Sequence, residues 1–178
     1  MLGLLGAGDH IIFFLESYAS SRNFIRSVLP RWGIENTMIS VSDPDALEKA
    51  VRPGKTKLII FESPTNPLCL IPSIDHIVSI ARRYQILTCL DNTFAGFHNH
   101  GQYQIDFFVH SLTKFAGGHS DVAGGIVIGA SDLIKPLRLM NMSLGSTLDP
   151  HAAFLILRGM KSYFLRYRQQ CTNAQRLA

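Results

Sequence analysis

Six short apolar runs punctuate the chain, at residues 10–15, 36–41, 57–61, 86–90, 106–109 and 125–128, and stretches of helical periodicity separate several of them. Runs of this length bounded by turn residues read as buried β-strands. Strands that alternate with helices pack best as a mostly parallel sheet with helices on both faces, a three-layer α/β architecture. Such sheets bind ligands outside the carboxyl ends of their strands. The chemistry of this chain is therefore sought where each run ends.

The intervening helices carry their own signals. Ser42-Asp43-Pro44-Asp45 reads as a capping start, with a proline near the first turn, for a helix through Val51. Ser73 precedes a stretch to Tyr84 in which Ile74, Ile77, Val78 and Ala81 share one face. Beyond Gly129, residues 131–144 read as a helix interrupted by Pro136. Residues 150–158 form another behind an Asp149 cap, Gly159 reads as a break, and 160–178 as a last helix without a clear stop. Leu2, Leu4 and Leu5 resemble the tail of a helix, so a piece of a longer protein is the expectation.

With 178 residues, 47% of them apolar and 17% charged, the chain can bury one sizeable core as a single domain. The net charge of +4 gathers partly in Arg158, Lys161, Arg166, Arg168 and Arg176. No aromatic-basic reading surface accompanies them, so a solvated helix face is expected and nucleic acid is not. Cys69, Cys89 and Cys171 are odd in number, far apart and without a Cys-x-x-Cys pair, which fits a reducing cytoplasm. The apolar opening lacks a basic lead, and no run approaches the roughly twenty apolar residues that span a bilayer. No membrane partner is expected.

Three strand ends carry reactive groups. Lys114 sits in Ser111-Leu112-Thr113-Lys114-Phe115, directly after an apolar run. A lysine beside two hydroxyls can form an imine with a carbonyl where its surroundings supply neutral amine, and the hydroxyls can hold a phosphate. Asp91 ends the run Leu87-Thr88-Cys89-Leu90, and a carboxylate there needs a loop to cap, a metal or a cationic partner. With Lys114 on a following strand, a coherent pairing is a carboxylate on a protonated pyridine nitrogen and an amine on the same ring's aldehyde carbon. Asn66 lies between Pro64 and Pro67, which present it rigidly, although a turn alone also accounts for the prolines.

Glu62-Ser63-Pro64-Thr65-Asn66-Pro67, Asp91-Asn92-Thr93-Phe94 and the stretch from His110 through Lys114 to Val122 closely resemble the Cys/Met metabolism family of pyridoxal-phosphate enzymes. The resemblance runs from about Ala7 to Lys161 and beyond. It implies a fold-type I large domain, pyridoxal 5'-phosphate as cofactor and a small amino acid as substrate. It also implies elimination or replacement at the beta or gamma carbon; residues 22–25, 28–30, 33–34 and 152–161 look most like the family's cystathionine gamma-synthase members, with gamma-lyase and acetylhomoserine sulfhydrylase activities left open. Lys114 would hold the cofactor and move protons, Asp91 would pair with the pyridinium, and Ser111 and Thr113 would bind the phosphate. Tyr18 would lie against the ring, although the family's usual Gly-Gly-Thr after it is Ala19-Ser20-Ser21 here. Asn66 would sit near the phenolic oxygen and the substrate carboxylate, with Thr93 beside it.

The resemblance also implies a homo-oligomer, dimer or tetramer. Family members carry an upstream phosphate loop, a tyrosine-arginine pair lent to a neighbouring subunit, and a downstream arginine for the substrate carboxylate. None of these has a position in this chain, so weak cofactor retention and little turnover are expected of it alone.

Other readings are weaker. His98, His100, His110 and His119 invite a metal, but no carboxylate or cysteine is spaced to complete a site, and none is expected. Gly117-Gly118 and Gly124-Gly125 do not make a dinucleotide loop and read as packing glycines. A non-catalytic module could use Phe94, Phe97, Phe107 and Phe108 as a dimer face, although most of these aromatics are expected in the core.

Overall fold

The computed structural model describes Met1–Ala178. Strands β1 (His10–Phe14), β2 (Glu35–Ile39), β3 (Thr56–Glu62), β4 (Leu87–Asp91), β5 (Phe107–Ser111) and β6 (Gly125–Gly129) form one sheet in the order β2-β1-β3-β4-β5-β6. All pairs are parallel except β5 with β6, which is antiparallel. The mostly parallel α/β sheet expected from the alternating pattern is present.

Alternation along the strands divides the core in two. Ile12, Phe14, Ile59, Phe61 and Leu90 face one layer, formed by α2 (Ala46–Ala50) and α3 (Ile74–Arg83). Ile11, Phe13, Leu58, Cys89 and Phe107 face the other, built from the N-terminal turn, Ile25, Leu29 and the inner side of α4 (Ser131–Leu144). Helix α3 buries Ile74, Ile77, Ile80 and Ala81, while Val78 is only half-buried.

Several local expectations are corrected. The outer strands were expected to be buried, but β2 is a mostly accessible edge and every residue of β6 is exposed, because each lacks a neighbour on one side. Helix α2 is only five residues long, and the cap comes from Asp43, whose Oδ1 accepts from the N–H groups of Asp45 and Ala46 at 3.1 Å. Pro136 does not interrupt α4. The carbonyl that loses its partner belongs to Asp132, an exposed residue whose backbone water can satisfy.

Gly159 is likewise no break. Helix α5 (Pro150–Met160) runs through it, with Asp149 capping as expected by accepting from the N–H groups of His151 and Ala152. A Cβ at Gly159 would lie 2.2 Å from the Gly117 carbonyl oxygen, so the glycine serves close packing of α5 onto the turn after β5. The last helix, α6 (Tyr163–Leu177), follows. The sequence also gave little sign of the continuous helical stretch after β1, in which α1 (Ala19–Asn23), a π turn (Phe24–Val28) and a 3-10 turn (Leu29–Trp32) end at Gly33.

Candidate functional site

The carboxyl ends of β1, β3, β4 and β5 lie side by side, and the polar residues expected there collect into two hydrogen-bonded groups. In the first, the Glu62 carboxylate at the end of β3 accepts from the backbone N–H of Tyr18, which leads into α1, and from that of Asn66 at 3.2 Å. In the second, Asp91 at the end of β4 accepts on Oδ1 from the Thr93 N–H (2.9 Å) and the Thr93 hydroxyl (2.5 Å). The Thr93 hydroxyl oxygen in turn accepts from the Ser111 N–H at 2.9 Å. Glu62 and Asp91 are register partners across β3 and β4, which joins the two groups.

Lys114 follows in a π turn (Leu112–Ala116) that starts directly after β5. Its backbone is non-helical (φ −86°, ψ −117°), its side chain is exposed, and Nζ bonds to no protein atom. The Thr113 hydroxyl is engaged with the opposite backbone, accepting from the Gly124 N–H (3.0 Å) and donating to its carbonyl (3.3 Å). A phosphate at this turn would compete with that second bond. Tyr18 has its side chain half exposed. Tyr18, Asn66, Asp91, Thr93 and Ser111 are thus drawn into shared networks, whereas Thr113 and Lys114 occupy the adjacent turn without a bond to them.

Asp91 also lines a cavity of about 1100 Å³ that extends past Gly124 and Gly125 and over Leu58, Ile60, Cys89 and Phe107 of the sheet face. Its Oδ2 accepts no bond from the protein. A cofactor with a basic ring nitrogen, an aldehyde and a phosphate asks for an acid, an amine and hydroxyls on neighbouring strand ends. Asp91, Lys114 and Ser111 fit that donor set, with Thr113 available once released from Gly124.

Glu62 is the group that the residue-by-residue assignment of roles passed over. It is 8% exposed, and burial raises its pKa to about 7, with the charge of Asp91 adding to the rise and the Tyr18 and Asn66 N–H groups opposing it. The signal was present, since it is a charged residue closing an apolar strand, the same feature that singled out Asp91.

The histidines weighed for a metal are held by ring stacking and single hydrogen bonds, with His100 Nδ1 and His110 Nε2 buried without a partner. His110 is buried, stacks on Phe97 with ring centroids 4.0 Å apart, bonds Asn92 Oδ1 through Nδ1 at 3.1 Å, and has its pKa lowered by burial. His98 meets the rings of Tyr163 and Tyr167, and His119 donates to the Gly117 carbonyl at 2.7 Å. His100 Nε2 lies 3.4 Å from the Ser63 hydroxyl. No cluster of three or more histidine, cysteine or acidic side chains is placed to hold a metal ion. Among the aromatics weighed as a dimer face, Phe107 is buried, Phe97 and Phe108 are half-buried, and Phe94 is exposed.

Comparison with known proteins decides the family. Residues 1–178 match the sequence profile of the Cys/Met metabolism PLP-dependent enzymes. The chain belongs to this family. It is 39% identical over 180 residues to cystathionine gamma-synthase 1, chloroplastic, of Nicotiana tabacum, an alignment covering 100% of this chain and 33% of the relative. It is 38% identical over 178 residues to cystathionine gamma-lyase of Bacillus subtilis, covering 98% of this chain and 47% of that protein. The solved cystathionine gamma-lyase of Lactobacillus plantarum complexed with L-serine superposes with a TM-score of 0.85 at 36% identity, over 90% of this chain and 43% of the other. The chain therefore spans about a third to a half of the length of the relatives it matches.

Proposed function

We propose that this chain is the cofactor-holding central part of the large domain of a pyridoxal-phosphate-dependent, transsulfuration-type enzyme. The observation that carries the reading is the bonded group Asp91, Thr93 and Ser111 at adjacent strand ends, with Lys114 in the turn that follows. The share of each relative that the chain spans supports its being one part of such a domain.

When bound, pyridoxal phosphate supplies an electron sink for charge that develops at a substrate carbon. Asp91 would favour the protonated ring nitrogen, and Thr93 holds the carboxylate in place by occupying Oδ1. Ser111 would donate to the phosphate, and Thr113 too once its hydroxyl leaves the Gly124 carbonyl. Tyr18 would lie against the ring and keep water from it, while Asn66 would orient the phenolic oxygen and the substrate carboxylate. Lys114 would hold the cofactor through its aldehyde carbon, and, once the substrate amine takes its place there, the freed Nζ would be the base that takes the substrate's alpha proton and returns it farther along the substrate, the proton movement that lets a substituent leave from the beta or gamma carbon.

The substrate class is a sulfur-containing or O-acylated amino acid, and the L-serine in the Lactobacillus plantarum structure supports an amino acid at this site. Cystathionine gamma-synthase is the favoured reaction, on the likeness of residues 22–25, 28–30, 33–34 and 152–161 to that branch of the family. The near-equal identity to a synthase and a lyase leaves gamma-lyase chemistry as the competing reaction. A homo-oligomer belongs to this reading, since the family's sites draw residues from a neighbouring subunit. A reducing compartment, the cytoplasm, suits three unpaired cysteines, and no helix is long and apolar enough to cross a membrane.

Absorbance tests the reading. In a difference spectrum against free pyridoxal phosphate, which is itself yellow, the chain should show the band of a lysine imine and Lys114→Ala should not, whereas equal difference spectra in both would overturn it. Turnover of cystathionine-type substrates by the 178-residue chain should be slight, because the groups that the family places elsewhere are not among its residues.

A further inference from the structure

Helix α6 was expected to present a solvated basic face, yet Arg166 turns inward. Its guanidinium donates to the carbonyls of Phe115 (2.9 Å), Ala116 (3.3 Å) and Gly159 (2.8 Å), and its Nε to the Ser162 hydroxyl (3.0 Å). Phe115 and Ala116 immediately follow Lys114 and close its π turn. Carbonyls at the end of such a turn have few backbone donors of their own, and one guanidinium supplies them.

The same helix grips the loop that follows Asp91. The Tyr163 hydroxyl accepts from the Phe97 N–H at 3.0 Å, and the Tyr167 hydroxyl donates to the Ala95 carbonyl at 2.6 Å. Residues 163, 166 and 167 share a face of α6 by their three- and four-residue spacing. One turn of helix therefore holds both loops.

Two glycines make room for it. Gly96 in the first loop (φ +83°) would bring a Cβ within 2.3 Å of the Tyr163 hydroxyl, and Gly118 in the second (φ +72°) within 1.9 Å of Arg166 Nη1. Each loop thus carries a positive-φ glycine just where a side chain of α6 approaches, an arrangement that general surface packing does not require.

We propose that Tyr163, Arg166 and Tyr167 are positioning residues that clasp the Asp91 loop to the Lys114 turn and so set the separation of the two groups. The clasp rests on the proposed cofactor role for its purpose, but its mechanical part is measurable without cofactor. Hydrogen exchange of the cofactor-free chain reads it. Tyr163→Phe should speed exchange at Phe97, and Arg166→Met at Gly117 and Gly118, whose N–H groups bond within the Lys114 turn. Each should rise by at least about tenfold, the factor expected when a hydrogen bond worth roughly 1.5 kcal/mol is lost. Amides of β1 and β3 should be unchanged in both variants.

Pyridoxal phosphate bound at Lys114 should be retained about tenfold less well by Arg166→Met, with Arg166→Lys intermediate. Unchanged exchange at these loops overturns the clasp, as does acceleration spread evenly over the sheet. If the exchange results hold but the wild-type chain takes up no pyridoxal phosphate at Lys114, the functional reading fails and the clasp stands.

Discussion

Glu62 and Asp91 are register partners at the carboxyl ends of β3 and β4, so two carboxylates share one corner of the site. Burial raises the Glu62 pKa from 4.5 to about 7, and Asp91's charge adds to the rise. Between those pH values the folded chain keeps a proton that the unfolded chain has lost. The resulting stability is fully present below pH 4.5 and is lost as pH rises through 7. Glu62→Gln should remove this loss, so urea denaturation should show the variant gaining on the wild type as pH rises from 4.5 to 7. A constant difference between the two across that window contradicts the assignment.

His10 has the opposite slope. Fully buried between the hydroxyls of Thr37 and Thr56, each 2.9 Å from a ring nitrogen, its pKa is lowered from 6.5 to about 4 by burial, with Arg52 contributing. Here the unfolded chain binds the extra proton, so stability falls as pH drops from 6.5 towards 4. His10→Gln should abolish that fall, at a cost of about 1–3 kcal/mol at neutral pH for the disturbed hydrogen bonds. Because the Glu62 and His10 slopes oppose one another between pH 4.5 and 6.5, each variant should expose the slope of the other residue. Parallel pH profiles for wild type and His10→Gln would contradict this.

Gly159→Ala sets helix propensity against packing. Alanine favours a helix interior by about 1 kcal/mol over glycine. Its Cβ, however, would lie 2.2 Å from the Gly117 carbonyl oxygen and 2.7 Å from that of Ala116, both backbone atoms of the turn that carries Lys114. Overpacking costs about 1–3 kcal/mol and more when backbone must yield, so the variant should be net destabilised in chemical denaturation. A stabilised Gly159→Ala would show that α5 and this turn are not in close contact.

The sheet was legible because its strands are dense in isoleucine, leucine, valine and phenylalanine and are separated by helical spacing. Burial of each strand was not, because it depends on neighbours that periodicity does not reveal: β6 looks as apolar as β4 yet is exposed. Gly159 and Pro136 carry strong local preferences that packing and solvent override. The stretch Ala19-Ser20-Ser21-Arg22-Asn23 is too polar and too short to announce a helix.

At the site, Asp91 could be singled out because a carboxylate that ends an apolar strand needs a partner, and Ser111 because its hydroxyl flanks Lys114, whereas Thr93 was marked only by the family resemblance. Arg166 and Tyr163 could not, because they approach from a helix some fifty to seventy residues away in sequence.

Lys114 is the residue proposed to carry pyridoxal phosphate covalently, and the chain offers six lysines among which to choose: Lys49, Lys55, Lys57, Lys114, Lys135 and Lys161. Borohydride reduction of the chain with pyridoxal phosphate, followed by proteolysis and mass spectrometry, reads which one is tagged. The predicted result is label on the Lys114 peptide well above the other five, reduced in Asp91→Asn. Label spread evenly over the exposed lysines, or missing from Lys114, would show that Lys114 is not the residue that holds the cofactor.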